Sequence, residues 1–186
     1  MKCDIVLSGV GGQGILTIAA IIGQVAVEQG LYVKHGMSQR GGSVHAHLRL
    51  SSEPIFADLI PQGKADVIIA MEPMEALRYA DFLKPDGVII SNASSIVNID
   101  DYPENERLQA AIRAYAHGIV IDGDALAKEA GSPRAVNMVL LGAVANFLDM
   151  DSNLLRDAIA KMFARKGDAI VQMNLVAFDA GAKAAK

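Results

Sequence analysis

The stretch CDIVLSGVGGQGIL, residues 3–16, decides how the rest of the chain is read. Its apolar opening reads as a strand and its end enters a helical pattern. Between them Gly9, Gly11 and Gly14 keep the G-x-G-x-x-G spacing of a dinucleotide-binding turn. In such a turn one glycine makes the bend, one lets the backbone approach a phosphate, and one lets the helix pack closely on the strand. Gly12 and Gln13 complete the loop, and the helix that follows offers free N–H groups to an anion.

Moving outward, apolar runs bounded by turn residues recur at 3–8, 31–35, 65–71, 87–91 and 118–122 and read as buried parallel strands. Helical patterns at 13–29, 73–82 and 104–116 lie between them. The repeated βαβ order predicts an α/β, Rossmann-like fold: a mostly parallel twisted sheet with helices on both faces and a helical C-terminal region. One segment differs. SVHAHLRL, 43–50, alternates apolar with His45, His47 and Arg49, which predicts a half-exposed strand paired in a hairpin with PIFADL, 54–59. From Ser132 the chain turns helical, with Pro133 at a first helical position, Asp151 or Ser152 as a cap and Gly167 as a stop. A last helix starts at about 168 and its AGAKAAK end is expected to fray. The expected organisation is one domain, 1–186, with a sheet core over 1–131 and the helical part, 132–186, packed on it.

Composition narrows the function. The net charge is −4 with no Lys/Arg run, so the footprint of nucleic-acid binding is missing. The longest apolar stretch is too short for a bilayer, and the start shows no signal segment, so a cytoplasmic protein is expected. The single cysteine, Cys3, fits a reducing compartment and rules out a thiolate cluster supplied by this chain alone. Apolar residues make up 52% of the chain, which leaves open either a partner-facing surface or an Ala- and Ile-rich core.

If the strands run as read, their C-terminal ends share one edge, where open α/β sheets bind ligands. Two polar Gly-rich loops face each other there: Gly9, Gly11, Gly12, Gln13 and Gly14, and the segment 36–42 with Ser38, Gln39, Arg40, Gly41 and Gly42. An NAD site wants a carboxylate after the second strand, and that place holds Lys34, His35 and Gly36. Lys34, Ser38 and Arg40 suit a 2′-phosphate instead, so NADP stays open. Arg40 offers a planar fork of donors to a carboxylate or phosphate. His45 and His47 share a strand face without a third ligand nearby, so no metal site is expected. Glu72 and Glu75 suit the start of a helix, and His117 the end of one. No nucleophile elbow and no P-loop occurs. IDGDALAKEAG, 121–131, lacks the opening and the downstream asparagines of a thiamine diphosphate motif.

Five motifs in one order, GVGGQGIL, SQRGGSV with Arg49, ADVIIAMEPMEALR, NMVLLGA and NLVAFDAG, resemble the gamma-type subunits of 2-oxoacid:ferredoxin oxidoreductases over nearly the whole chain. The resemblance implies a non-cluster subunit that is inactive alone. Its enzyme oxidatively decarboxylates aryl 2-oxoacids such as indolepyruvate to an acyl-CoA and passes electrons to ferredoxin. It implies a large catalytic alpha subunit that carries thiamine diphosphate and the iron-sulfur clusters, with CoA as co-substrate and no cofactor bound by this chain alone. Pyruvate, 2-oxoglutarate and branched-chain 2-oxoacid enzymes share this subunit type, so the substrate stays open. The two Gly-rich loops become a wall of the composite cleft or CoA channel. A stand-alone NADP-binding oxidoreductase and a nucleotide-sensing module are the competing classes.

Overall fold

Strand β1 (Lys2–Val10) is buried on both faces from Cys3 to Gly9, and the fold is built around it. The computed structural model of the chain describes residues 1–185, and of Arg40 the backbone only. Helix α1 (Ile15–Glu28) leads to β2 (Tyr32–Arg40), which turns back into β3 (Ser43–Ser51). Then come β4 (Ala65–Ala70), α2 (Pro73–Arg78), β5 (Leu83–Asn92), α3 (Asn105–Arg113) and β6 (Gly118–Ile121). Helices α4 (Gly123–Glu129), α5 (Val136–Ala145), α6 (Ser152–Phe163) and α7 (Asp168–Ala184) complete the chain.

The sheet order is β2-β3-β1-β4-β5-β6. Strands β1, β4, β5 and β6 are parallel, and β3 is antiparallel to both β1 and β2. Alternate residues of β1 feed two cores, as a pleated strand buried on both faces must. Ile5 and Leu7 face α1, α5, α6 and α7, whereas Val6 packs with Ile68, Ile89, Ala76 of α2 and Ile112 of α3. Helix α1 therefore crosses on one face and α2 on the other, which makes the space above β1 and β4 the topological switch point. Helices α5 and α7 approach so closely that a Cβ on Gly142 would lie 1.8 Å from the Phe178 carbonyl oxygen, and one on Gly181 1.8 Å from that of Val139. No described helix is long and apolar enough to cross a membrane.

The layered α/β architecture stands, with several local corrections. The partner of β3 is not 54–59, which forms no strand, but β2 on one side and β1 on the other. Nor is β3 half exposed. Residues 52–60 fold over its polar face, so His47 is buried, and its Nδ1 accepts the Ile60 N–H at 3.0 Å. Segment 36–40, read as loop, is strand, and only Gly41 and Gly42 turn, at φ 58° and 89°. Two positive φ values are what a two-residue type I′ hairpin turn requires. The helical pattern at 73–82 breaks at Tyr79, and 123–129, given no helix above, forms α4 behind an Asp122 cap. The last helix stays regular to Ala184.

Asp4 and Arg49 lie directly opposite each other on β1 and β3. Arg49 Nε donates to Asp4 Oδ1 at 2.7 Å and its Nη2 to Oδ2 at 3.1 Å, while Nη1 reaches the carbonyls of Ala57 and Leu59, both at 3.1 Å. The carboxylate is buried and the guanidinium nearly so. Removing one member of such a pair strands the other, so Arg49→Leu is expected to cost about 3–5 kcal/mol in urea unfolding. The double variant Asp4→Leu, Arg49→Leu should recover part of that loss. Burial and the nearby Asp66 and Asp4 carboxylates push the Cys3 thiol from 9.0 up to about 12. A thiol held neutral by the fold stabilises it below its unfolded pKa, so stability should decline as pH rises from about 9 towards 12. Native protein at pH 8 should resist iodoacetamide, and denatured protein should react.

Candidate functional site

The C-terminal ends of β1, β2, β4, β5 and β6 do share one edge, and the two Gly-rich segments meet there. Because β3 lies between β1 and β2, the meeting is made by the hairpin tip. The Gly11 N–H donates to the Gly42 carbonyl at 2.9 Å. An open cleft of about 430 Å³ follows, lined by Val10 to Leu16 from the first loop and by Met37, Gln39 and Val44 from the hairpin.

The glycines of the fingerprint have separate duties. A Cβ at Gly9 would crowd Met71 Cβ at 2.9 Å and Gln13 Oε1 at 2.7 Å. Gly14 caps α1 with φ 82°, beneath the Asn137 side chain of α5, whose Nδ2 lies 3.5 Å from the Gly14 carbonyl oxygen. Gly11 and Gly12 border the cleft itself, and a Cβ on Gly11 would meet only ordinary contacts, the nearest being Gln39 Nε2 at 3.5 Å. Gln13 folds back over the switch point: its Oε1 accepts the Val10 N–H at 2.7 Å and its Nε2 donates to the Met71 carbonyl at 3.2 Å. The space between the ends of β1 and β4, where a dinucleotide would lay its pyrophosphate, is thus bridged by a side-chain amide. The inserted β3 also moves β2 one strand spacing, about 4.8 Å, further from β1 than an adjacent second strand would lie. Lys34, a candidate for a 2′-phosphate, is paired with Asp58 at 3.2 Å.

Strand alternation divides the second segment. Gln39 joins the cleft with Met37, whereas Ser38 lies opposite His45 on the other face of the sheet. Gly41 and Gly42 sit exposed at the tip, and the side chain of Arg40 lies outside the described residues. On the face below Ser38 a polar network escaped the sequence reading. Ser43 Oγ donates to Glu75 Oε2 at 2.5 Å and lies 3.3 Å from the Tyr79 hydroxyl, and Arg78 Nε donates to Glu75 Oε1 at 3.1 Å. Glu72 does cap α2, accepting the Glu75 N–H at 2.9 Å, and burial pushes its carboxyl above the usual range. Glu75, in the first turn of α2, also anchors the hairpin next to its tip through Ser43. His45 stacks on Tyr79 with ring centroids 4.5 Å apart, and His47 meets Phe82 edge-on at 5.1 Å. His47 is a buried ring and His45 a half-buried one, and burial lowers the basicity of both. Among the described residues no three His, Cys, Asp or Glu side chains gather as a metal site.

The sequence profile of the pyruvate ferredoxin/flavodoxin oxidoreductase family matches residues 4–184. The chain belongs to that family. Within the oxidoreductase family its similar relatives include indolepyruvate oxidoreductase subunit IorB of Pyrococcus horikoshii, 38% identical over 98% of this chain and 96% of that one. The IorB subunit of Archaeoglobus fulgidus is 38% identical over 97% and 94%. Among solved structures, 2-oxoglutarate:ferredoxin oxidoreductase of Magnetococcus marinus superposes with a TM-score of 0.78 at 25% identity, covering 99% of this chain and 31% of that one. The gamma subunit of a keto/oxoacid ferredoxin oxidoreductase of Geobacter sulfurreducens shares the fold at a TM-score of 0.73, with 23% identity and 98% of each chain covered. This oxidoreductase subunit thus corresponds to a whole chain in some family members and to about a third of a longer chain in another.

The cleft geometry separates the glycines experimentally. Gly9→Ala should lose about 1–3 kcal/mol by overpacking, read by thermal or urea unfolding. Gly11→Ala should stay within about 0.5 kcal/mol of the parent, so any loss of activity in the assembled enzyme would report on the cleft alone.

Proposed function

We propose that this chain is the non-cluster subunit of a cytoplasmic indolepyruvate:ferredoxin oxidoreductase, with other arylpyruvates in the same substrate class. The observation that carries the reading is the 38% identity to IorB subunits along almost the full length of both chains. The reaction converts a 2-oxoacid and CoA to acyl-CoA and carbon dioxide, and the electrons released go to ferredoxin.

The donor set of this chain does not fit the redox groups of that reaction. Its one cysteine is buried with its thiol pushed up to about 12, so it supplies no thiolate at neutral pH. The iron-sulfur clusters therefore belong to a large catalytic partner, which in this reading also carries thiamine diphosphate, and this chain contributes binding and enclosure. The cleft walled by Gly11 to Gly14 and, on the hairpin, by Met37, Gln39 and Val44 faces that partner and borders the path of CoA. Backbone N–H groups at the start of α1 and the Arg40 guanidinium are the groups of this chain suited to a phosphate or carboxylate there. The Magnetococcus marinus relative is a structure with 2-oxoglutarate, coenzyme A and succinyl-CoA bound, which supports placing a CoA-accepting cleft in this family.

Affinity purification of the tagged chain from anaerobic lysate, followed by mass spectrometry, tests the reading. A stoichiometric large chain with a thiamine motif and cysteine clusters is expected, and the complex should reduce ferredoxin faster with indolepyruvate than with 2-oxoglutarate. A chain that elutes alone and folded overturns the subunit assignment. In the complex, Arg40→Ala should raise the apparent KM for CoA about tenfold, the loss of one charge-assisted hydrogen bond of about 1.5 kcal/mol. Unchanged kinetics would remove Arg40 from the site.

A further inference from the structure

The hairpin tip beside the cleft is built from two glycines. A Cβ on Gly41 or Gly42 would meet nothing within 4 Å, and glycine leaves the backbone its widest freedom. In the plane of the sheet the tip is tied by the bond from the Gly11 N–H to the Gly42 carbonyl at 2.9 Å. On the face away from the cleft it is tied by Ser43 Oγ, which donates to Glu75 Oε2 at 2.5 Å. Ser43 and Val44 are consecutive residues of β3, so their side chains point to opposite faces of the sheet. Val44 lines the cleft while Ser43 is gripped from behind. Whatever seats Ser43 therefore also seats Val44 in the cleft wall.

Glu75 is suited to that task because each of its polar groups is engaged. Its N–H donates to Glu72 Oε2 at 2.9 Å, and its carbonyl accepts the hydroxyl of Ser8, a buried residue of β1, at 3.1 Å. Its Oε1 accepts Arg78 Nε at 3.1 Å, and the whole residue is 3% exposed. A carboxylate only accepts and Ser43 has one hydroxyl proton, so the Tyr79 hydroxyl, 3.3 Å from Ser43 Oγ, donates to the serine. The bonds run in one direction, from Tyr79 to Ser43 to Glu75. The register of β3 does not call for them. The Asp4–Arg49 pair and the apolar face of Val44, Ala46, Leu48 and Leu50 already fix it. Apolar side chains of similar volume in place of a buried ionic network are often no less stabilising. An apolar contact tolerates sliding, however, and a short hydrogen bond does not. We propose, on the reading of this cleft as the border of the CoA path, that Glu75 is a positioning residue for the reaction. Through the Ser43 hydroxyl it fixes the hairpin tip, and with it the spacing between Val44 and the glycine loop across the cleft.

Amide exchange in the full chain, followed residue by residue by NMR, and kinetics of the assembled enzyme test this together. In Ser43→Ala the Gly11 N–H should exchange about tenfold faster, while the amides of Ile5 to Leu7 keep the parent rate. In the complex the same variant should raise the KM for CoA about fivefold, with kcat within about twofold of the parent. Ser43→Thr keeps the hydroxyl and should return both readouts to the parent values. Glu75→Leu should also speed exchange at Gly11, and in that background Ser43→Ala should add nothing, since the two residues act through one bond. Should Glu75→Leu fail to fold, the two serine variants still decide. Unchanged exchange at Gly11 in Ser43→Ala, or an equal acceleration at Ile5 to Leu7, overturns the positioning role. If Arg40→Ala raises the KM for CoA and Ser43→Ala does not, the positioning role alone falls. If neither variant moves it, the reading of the cleft as the CoA border falls as well.

Discussion

The register of β3 on β1 is the constraint from which the rest of the structure follows, and the Asp4–Arg49 pair holds it. Side chains alternate along a strand, so a slip of one residue would turn Arg49 away from Asp4 and send Leu48 and Leu50 out of the main core. The same guanidinium grips the carbonyls of Ala57 and Leu59, and in doing so lays 52–60 over the face that carries His47. With the register fixed at this end, the hairpin tip arrives beside Gly11 at the other. One ion pair near the N-terminal end of β1 thereby sets the wall of a cleft about twenty ångströms away, the length of six strand residues.

The parts of the fold that rest on local pattern were legible in the sequence. Buried parallel strands announced themselves as apolar runs, and Pro133, Asp151 and Gly167 marked helix boundaries through local stereochemistry. What could not be read was pairing. The alternation of 43–50 shows that one face differs from the other, but not which strand lies alongside, because hydrogen-bonded partners leave no trace in a strand's own sequence. Nor does alternation tell whether the polar face meets water or a covering loop. His45 and His47 looked like solvent residues, yet His47 is buried and His45 half-buried, because Tyr79, Phe82 and Ile60 arrive from distant segments.

The site was legible to a similar depth. The two Gly-rich segments were found from composition, the second as a loop and not as the tip of a hairpin, and both lie at the predicted edge. The sequence was silent on how the first loop is closed. A glutamine in that loop gives no hint that its amide will bridge Val10 and Met71 across the switch point. Glu75 was visible as a helix-start residue, yet its partner Ser43 is 32 positions away. A fingerprint of glycines is therefore a statement about backbone shape. Whether that shape receives a nucleotide or a neighbouring side chain is decided by residues outside the motif.

Helices α5 and α7 meet at Gly142 and Gly181, each backbone lying where the other's missing side chain would be. Surfaces in such contact transmit displacement without slack, since there is no flexible side chain between them to absorb it. Asn137, in the first turn of α5, rests its amide on Gly14 at the start of α1. The C-terminal helix, the central helix and the glycine loop thus form a stiff linkage across the molecule. No compliant layer of side chains separates the outer helix from the cleft along this line.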